Sequence, residues 1–146
     1  MLPHKHVIIS ATVAAVGWWT TWEPAAAVAA LATGVLLDID HIIDYSYYRW
    51  RGDHRLILPL HGYEFAFLGT VVALLAGDHI LGIAVLSYFI HLLADQSENR
   101  THILGYFLLF RVWHRFRVED ISTMPEAAIR GRMADIDLLK SLLRRR

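Results

Sequence analysis

The sequence predicts an all-α protein: a four-helix transmembrane bundle with short outer turns, followed by an interfacial helix and a C-terminal amphipathic helix. Three observations predict it. Of 146 residues, 55% are hydrophobic and only 19% charged, where an ordinary soluble domain has about 25% charged residues. Four apolar stretches, 7–22, 25–37, 65–77 and 80–94, hold few charges. All 14 Lys and Arg lie at Lys5, Arg49, Arg51, Arg55, Arg100 or beyond, so the turns near Glu23 and Asp78 carry none. With four spans every basic residue falls on one side, which the positive-inside rule makes cytoplasmic, together with both termini.

Each stretch is shorter than the ~20 residues of an average membrane helix, but flanking polar and aromatic residues extend each to ~17–20, enough for a thin bilayer. The first helix runs to Trp18, Trp19 and Trp22, which mark the outer interface. Those bulky residues also disfavour a signal peptide, which needs small residues before its cleavage site. Pro24 starts the second helix after a tight turn at Glu23, because its missing N–H costs nothing in a first turn. Tyr45, Tyr47, Tyr48 and Trp50 mark its inner end, and the polar, aromatic stretch 46–60 leads to the third helix. Gly77-Asp78-His79 turns the third helix into the fourth. Residues 101–117 are apolar but interrupted by Arg111, His114, Arg115 and Arg117, which predicts an interfacial or docked helix; a fifth span would carry the basic tail outside.

Thr123-Met124-Pro125-Glu126 has the pattern of a capping box. Ile129, Met133, Ile136, Leu139 and Leu143 then recur at helical spacing, and Arg144, Arg145 and Arg146 close the chain. Such a helix suits an anionic inner leaflet or covers the bundle. The chain thus divides into a membrane-embedded helical metal-site domain, 1–117, and a basic amphipathic tail, 118–146.

Nine histidines in so apolar a chain need a reason. Ionisable groups in or beside membrane spans are costly and mark function. His6 stands at the inner end of the first helix, and Asp38, Asp40, His41 and Asp44 at the inner end of the second. His61 and Glu64 open the third, and His91 with Asp95 closes the fourth. Four helices therefore deliver carboxylates and imidazoles to one layer near the cytoplasmic interface. Asp38 and His41 are spaced i, i+3, as are His61 and Glu64; His91 and Asp95 are i, i+4, so each pair shares a helix face.

Carboxylate–imidazole pairs from several helices build dinuclear metal sites in bundles. Nitrogen and oxygen donors without sulfur suit zinc, manganese or iron, and the lack of cysteine excludes thiolate sites and a cysteine nucleophile. Asp38 and Asp40 point to opposite faces of a continuous helix. Both reach one site only if the helix unwinds around Ile39, or if one of them orients a histidine from behind. His4, His79 and His114 read as ordinary interfacial polar residues. No glycine-rich phosphate loop, Gly-x-Ser-x-Gly elbow or His-Glu-x-x-His occurs.

Over roughly residues 4–100 the chain resembles the YdjM-like family of membrane-bound, metal-dependent hydrolases, a group distantly similar to zinc-dependent phospholipase C and single-strand nucleases. The resemblance rests on His6, Leu37-Asp38-Ile39-Asp40-His41, His54-Arg55 with His61, and His91-Leu92-Leu93-Ala94-Asp95. The family has Pro where this chain has Leu37, and Thr-His-Ser where it has Leu60-His61-Gly62, which leaves His54 as an alternative to His61. His61 is preferred because the apolar span follows at once and Glu64 completes a helical pair. The resemblance implies metal ligation by His6, Asp40, His61, His91 and Asp95, with His102 as a further histidine ligand and Asn99 and Arg100 near an anionic group. It also implies the inner membrane of a bacterium or archaeon.

The leading expectation is hydrolysis of a phosphoester in a lipid or lipid-linked substrate by metal-activated water. One ion, most simply zinc, lowers the pKa of water while a second holds phosphoryl oxygens. The candidate ligands are His6, Asp38, Asp40, His41, His61, Glu64, His91, Asp95 and His102. Asp38 or Glu64, where it is not itself a ligand, removes the water's proton, and Arg55 or Arg51 clamps the phosphate. A site at headgroup depth receives such an amphiphile laterally. Zero net charge gives no reason to expect nucleic acid, and a homo-oligomer is compatible with this reading. The alternatives are a non-catalytic membrane metal protein, a haem-binding bundle using His41, His61 or His91, and a structural interaction subunit whose polar layer locks helix packing.

Overall fold

The computed structural model describes residues 3–130. The chain is all-helical: α1 (Pro3–Thr21), α2 (Pro24–Val35), a 3-10 turn (Leu36–Asp40), α3 (His41–Arg51), α4 (Tyr63–Ala76), α5 (His79–Asn99), α6 (Leu108–Trp113) and α7 (Val118–Ile121). Among the described residues there is no strand, only the isolated bridges Arg55–Arg117 and Thr101–Ser122. Two helical segments, Pro24–Arg51 and His79–Asn99, are long and apolar enough to cross a membrane, and Tyr63–Ala76 is a shorter apolar helix.

The expected turns form where the local chemistry demands them. Pro24 occupies the first turn of α2. Gly77 ends α4 at φ 63°, a left-handed conformation that costs glycine nothing. The Asp78 carboxylate then caps α5, accepting from the N–H groups of Ile80 and Leu81 at 2.9 and 3.0 Å.

α5 is the central helix, packed against α1, α2 and α4, while α1 also packs along α2. The α1–α2–α5 contact is made by small residues, which let backbones approach closely. Ala26 and Ala30 are fully buried, and a Cβ on Gly34 would stand 2.0 Å from Ser10 Oγ and 2.7 Å from Ser87 Oγ. The Ser87 hydroxyl donates to Ala30 O and that of Thr33 to Ala84 O, so the polar groups of this seam satisfy one another. Large apolar side chains such as Trp19, Val28, Phe67, Leu74 and Leu75 face outward.

Three expectations are corrected. Residues 101–117 do not form one helix: the chain turns at Gly105, makes only the short α6, and passes through Arg115 and Phe116 at positive φ. Nor does a separate tail begin at 118. Val118 and Ile121 are buried, and the backbone of 118–123 is stitched to residues 54, 100 and 102. Thr123 is not the residue that precedes the next helix either: Met124 is, and the Thr123 hydroxyl donates back to Arg100 O. A helical stretch starts at Pro125; the rest of the predicted amphipathic helix, from 131, lies outside the described residues.

Candidate metal centre

The long inner helix changes its winding where its carboxylates stand. Along an α-helix Asp38 and Asp40 would point about 160° apart; the 3-10 winding of Leu36–Asp40 reduces that to about 120°. A cause lies in α5. His91 Nδ1 is 2.9 Å from Gly34 O, the acceptor that an uninterrupted α-helix would offer to the Asp38 N–H.

Seven of the predicted residues converge there: His6 from α1, Asp38 and Asp40 from the 3-10 turn, His41 from α3, His61 from the loop before α4, and His91 and Asp95 from α5. His6, Asp40, His61, His91 and Asp95 are at most 2% exposed, while the side chains of Asp38 and His41 are 29 and 49% exposed and form the rim. His6 stacks on His91 with ring centroids 4.0 Å apart.

Two overlapping sets can hold a metal ion: His6, Asp38, His91 and Asp95, and Asp38, His41 and His61. In each, the donor atoms lie within 4.8 Å of one another, and Asp38 belongs to both. The two imidazoles deepest in the cluster test the fit. His61 Nδ1 lies 3.0 Å from Asp40 Oδ2 and His91 Nδ1 lies 2.9 Å from Gly34 O, so both Nδ1 atoms carry their protons outward. This leaves the two Nε2 lone pairs facing each other at 3.1 Å, an arrangement that calls for a cation.

Asp38 Oδ1 is 3.5 and 3.4 Å from these Nε2 atoms, and Asp95 Oδ2 is 3.4 and 3.6 Å from them. Donors about 2.0–2.2 Å from a tetrahedral ion stand roughly 3.3–3.6 Å from one another. The observed spacings have that size. A proton can also serve as the cation: burial works against a charge on His61, but Asp38, Asp40 and Asp95 outweigh it and push its pKa up to about 10.

Asp40, which the resemblance makes a ligand, stands behind the cluster and orients His61. Its Oδ2 accepts from His61 Nδ1 and from the Leu60 N–H at 2.9 Å. Asp38 takes the position among the donors instead. His54 is not in the cluster: it stacks on Tyr48 at 4.7 Å between ring centroids, so His61, in the loop two residues before α4, is the histidine that this part of the chain brings to the site.

Glu64, expected as ligand or base, caps α6 instead, accepting from the N–H groups of Leu108 and Leu109. His102 is exposed, stacks on Phe110 and accepts from the Leu104 N–H. Arg55 is held by Asp53 and by Arg115 O, Arg51 lies over the Trp50 ring, Asn99 donates to the Tyr106 hydroxyl, and Arg100 packs on Met124. Asp44 is buried and accepts from the Ile57 N–H, tying the 52–60 stretch to α3. His79 pairs with Glu23, and His114 lies near Asp120, away from the cluster.

Two side chains that sequence reasoning did not place at the site hold the His61 loop. The Tyr88 hydroxyl lies 2.6 Å from Leu60 O and accepts from the Gly62 N–H at 3.2 Å. Arg111 is fully buried and donates to Leu58 O at 2.8 Å and to His61 O. Its signal in the sequence is its position as the single charge within Leu-Leu-Phe-Arg-Val-Trp. Comparison with protein-family models, curated proteins and solved structures gives no match for this chain.

Proposed function

We propose that this chain is an integral membrane, metal-dependent hydrolase that cleaves a phosphoester in a lipid or lipid-linked substrate at the cytoplasmic interface. One observation carries the reading. Among the described residues, a buried cluster of imidazoles and carboxylates is exposed only at Asp38 and His41, and that rim adjoins in the chain the exposed aliphatic side chains of Leu36, Ile39 and Ile42. Polar headgroup and apolar tail of one amphiphile would meet matching surfaces there. Four spans, α1, the long segment Pro24–Arg51, α4 and α5, would put the rim on the side of the basic residues. The quoted resemblance to YdjM-like hydrolases points the same way.

Six donor residues exceed what one tetrahedral ion takes, and Asp38 stands in both sets, which favours two ions sharing Asp38. The absence of sulfur among the donors favours zinc, with manganese or iron as alternatives. A divalent ion acidifies water and draws charge from a phosphoryl oxygen. The protein's own part is to hold the donors rigidly, to keep Asp40 behind His61, and to place Asp38, the carboxylate common to both sets, at the exposed rim where a substrate would arrive.

The near-complete burial of His6, His61, His91 and Asp95 favours, as a second reading, a metal that only locks the helices. A haem is disfavoured, because a macrocycle would have to enter between rings already in contact. Purified full-length protein, supplied with zinc or manganese, is to be incubated with phospholipids, lipid-linked phosphates and nucleotides. Metal-dependent release of phosphate or headgroup that disappears in His91→Ala supports the hydrolase. Bound metal without turnover on any substrate supports the locking role.

A further inference from the structure

The six residues of α6 pack with their polarity reversed. The one charged side chain, Arg111, is 0% exposed, while Leu109, Val112 and Trp113 are 75, 52 and 85% exposed. Ordinary packing turns a guanidinium outward, since burying a cation costs more than burying a few methylenes returns. The inner end of this side chain meets the loop that carries His61. Nη1 donates to Leu58 O, and Nη2 donates to the carbonyl of His61 itself. Leu58 O also accepts from the His61 N–H at 3.1 Å, so the guanidinium fork spans the turn that presents the imidazole. Asp40 holds the ring of His61 at Nδ1. Glu64 secures the base of the clamp by capping α6 at Leu108 and Leu109.

We propose that Arg111 is a positioning residue for the metal centre: its two-pronged grip on Leu58 O and His61 O sets the direction of the His61 ring, so that Nε2 meets His91, Asp38 and Asp95. This rests on the reading of the cluster as a metal centre. Lysine cannot replace the fork, because an ammonium is a single point of charge, whereas two carbonyls at fixed spacing need two donors in one rigid plane. The exposed Leu109, Val112 and Trp113 are the consequence of turning Arg111 inward on so short a helix.

The test titrates the full chain in detergent micelles with Co²⁺, reading affinity and ligand geometry from visible absorption and helix content from circular dichroism. Arg111→Lys, His61→Ala, the double variant and Arg115→Lys are compared with the unmodified protein. Arg111→Lys is expected to stay helical, to bind Co²⁺ about 10–100-fold more weakly, as loss of an orienting partner does, and to shift the visible bands. The double variant is expected to bind no more weakly than His61→Ala alone, because the effect passes through His61. Arg115→Lys is expected to behave as the unmodified protein.

Absence of Co²⁺ binding in the unmodified protein overturns the metal reading, and this proposal with it. Binding there, with the same affinity and spectrum in Arg111→Lys, overturns the positioning role alone. So does a weakening in Arg111→Lys that adds in full to that of His61→Ala, and so does an Arg111→Lys protein that fails to fold, since either would make Arg111 a general support.

Discussion

His61 and His91 meet Nε2 to Nε2 at 3.1 Å, each with its other ring nitrogen held by an oxygen, Asp40 Oδ2 for one and Gly34 O for the other. Two lone pairs so oriented repel unless a positive charge stands between or beside them. Burial opposes a charge on His61, but Asp38, Asp40 and Asp95 outweigh it and push its pKa up to about 10, which favours a proton there when no metal is bound. A bound metal must displace that proton.

The displacement gives a pH dependence. With the His61 pKa pushed up to about 10, metal binding near pH 7 is expected to release about one proton, and apparent affinity should rise with pH up to about 10. Calorimetric titration in two buffers of different ionisation enthalpy measures the released proton. Affinity independent of pH between 6 and 9 would sink the exchange.

The same shift sets the stability of the metal-free protein. A histidine whose folded pKa lies above its unfolded value of 6.5 stabilises fully below that value, and the contribution is lost as pH rises through the folded pKa. Thermal unfolding with chelator present should therefore fall toward pH 10, and added zinc should remove the fall.

Asp38 and Asp40 should separate by role. Asp38→Asn removes a donor and is expected to cost one bound metal equivalent by elemental analysis. Asp40→Asn keeps an acceptor for the Leu60 N–H but loses the charge behind His61; it should retain the metal count with affinity lowered about 10–100-fold. Identical stoichiometry in both variants would contradict the assignment. Glu64→Gln, by contrast, should leave metal binding as it is.

Two glycines give opposite outcomes. Alanine at Gly34 meets Ser10 and Ser87 at impossible distances, so Gly34→Ala should destabilise by about 1–3 kcal/mol or more and weaken metal binding through the Gly34 carbonyl that His91 needs. Around Gly82 there is open space, and Gly82→Ala should be neutral or stabilise by up to about 1 kcal/mol. Chemical denaturation in detergent compares them.

Metal should also stabilise the fold, because its donors come from α1, the α2–α3 segment, the α4 entry and α5. At a free metal concentration 1,000 times Kd the gain is about 4 kcal/mol. An unchanged Tm on addition of zinc, manganese or ferrous iron would count against any metal centre here.

Much of the candidate site is legible in the sequence. Spacings of three and four placed Asp38 with His41 and His91 with Asp95, and Pro24, Gly77 and Asp78 marked turns that do form. These are local properties: a helix face, a cap and a missing N–H act over a few residues and leave their mark in the order of the chain. The requirement that either the helix rewinds near Ile39 or one Asp backs a histidine was also visible, and the structure does both.

What the tertiary structure alone decided is which partner each polar group finds. Glu64 follows His61 by three residues yet serves α6, because His61 lies in the loop before α4, and Arg111 interrupts an apolar run yet lies buried on the His61 loop. Six residues of α6 are too few for a periodic pattern to show which side packs inward, and the contacts that settle it join residues about fifty positions apart. Local chemistry wrote the helices, their ends and the supply of ligands into the sequence. The choice between Asp38 and Asp40 as donor, and the clamp on His61, depend on α1, α5 and α6 meeting in space, where an unpaired buried polar group is too costly to leave unanswered.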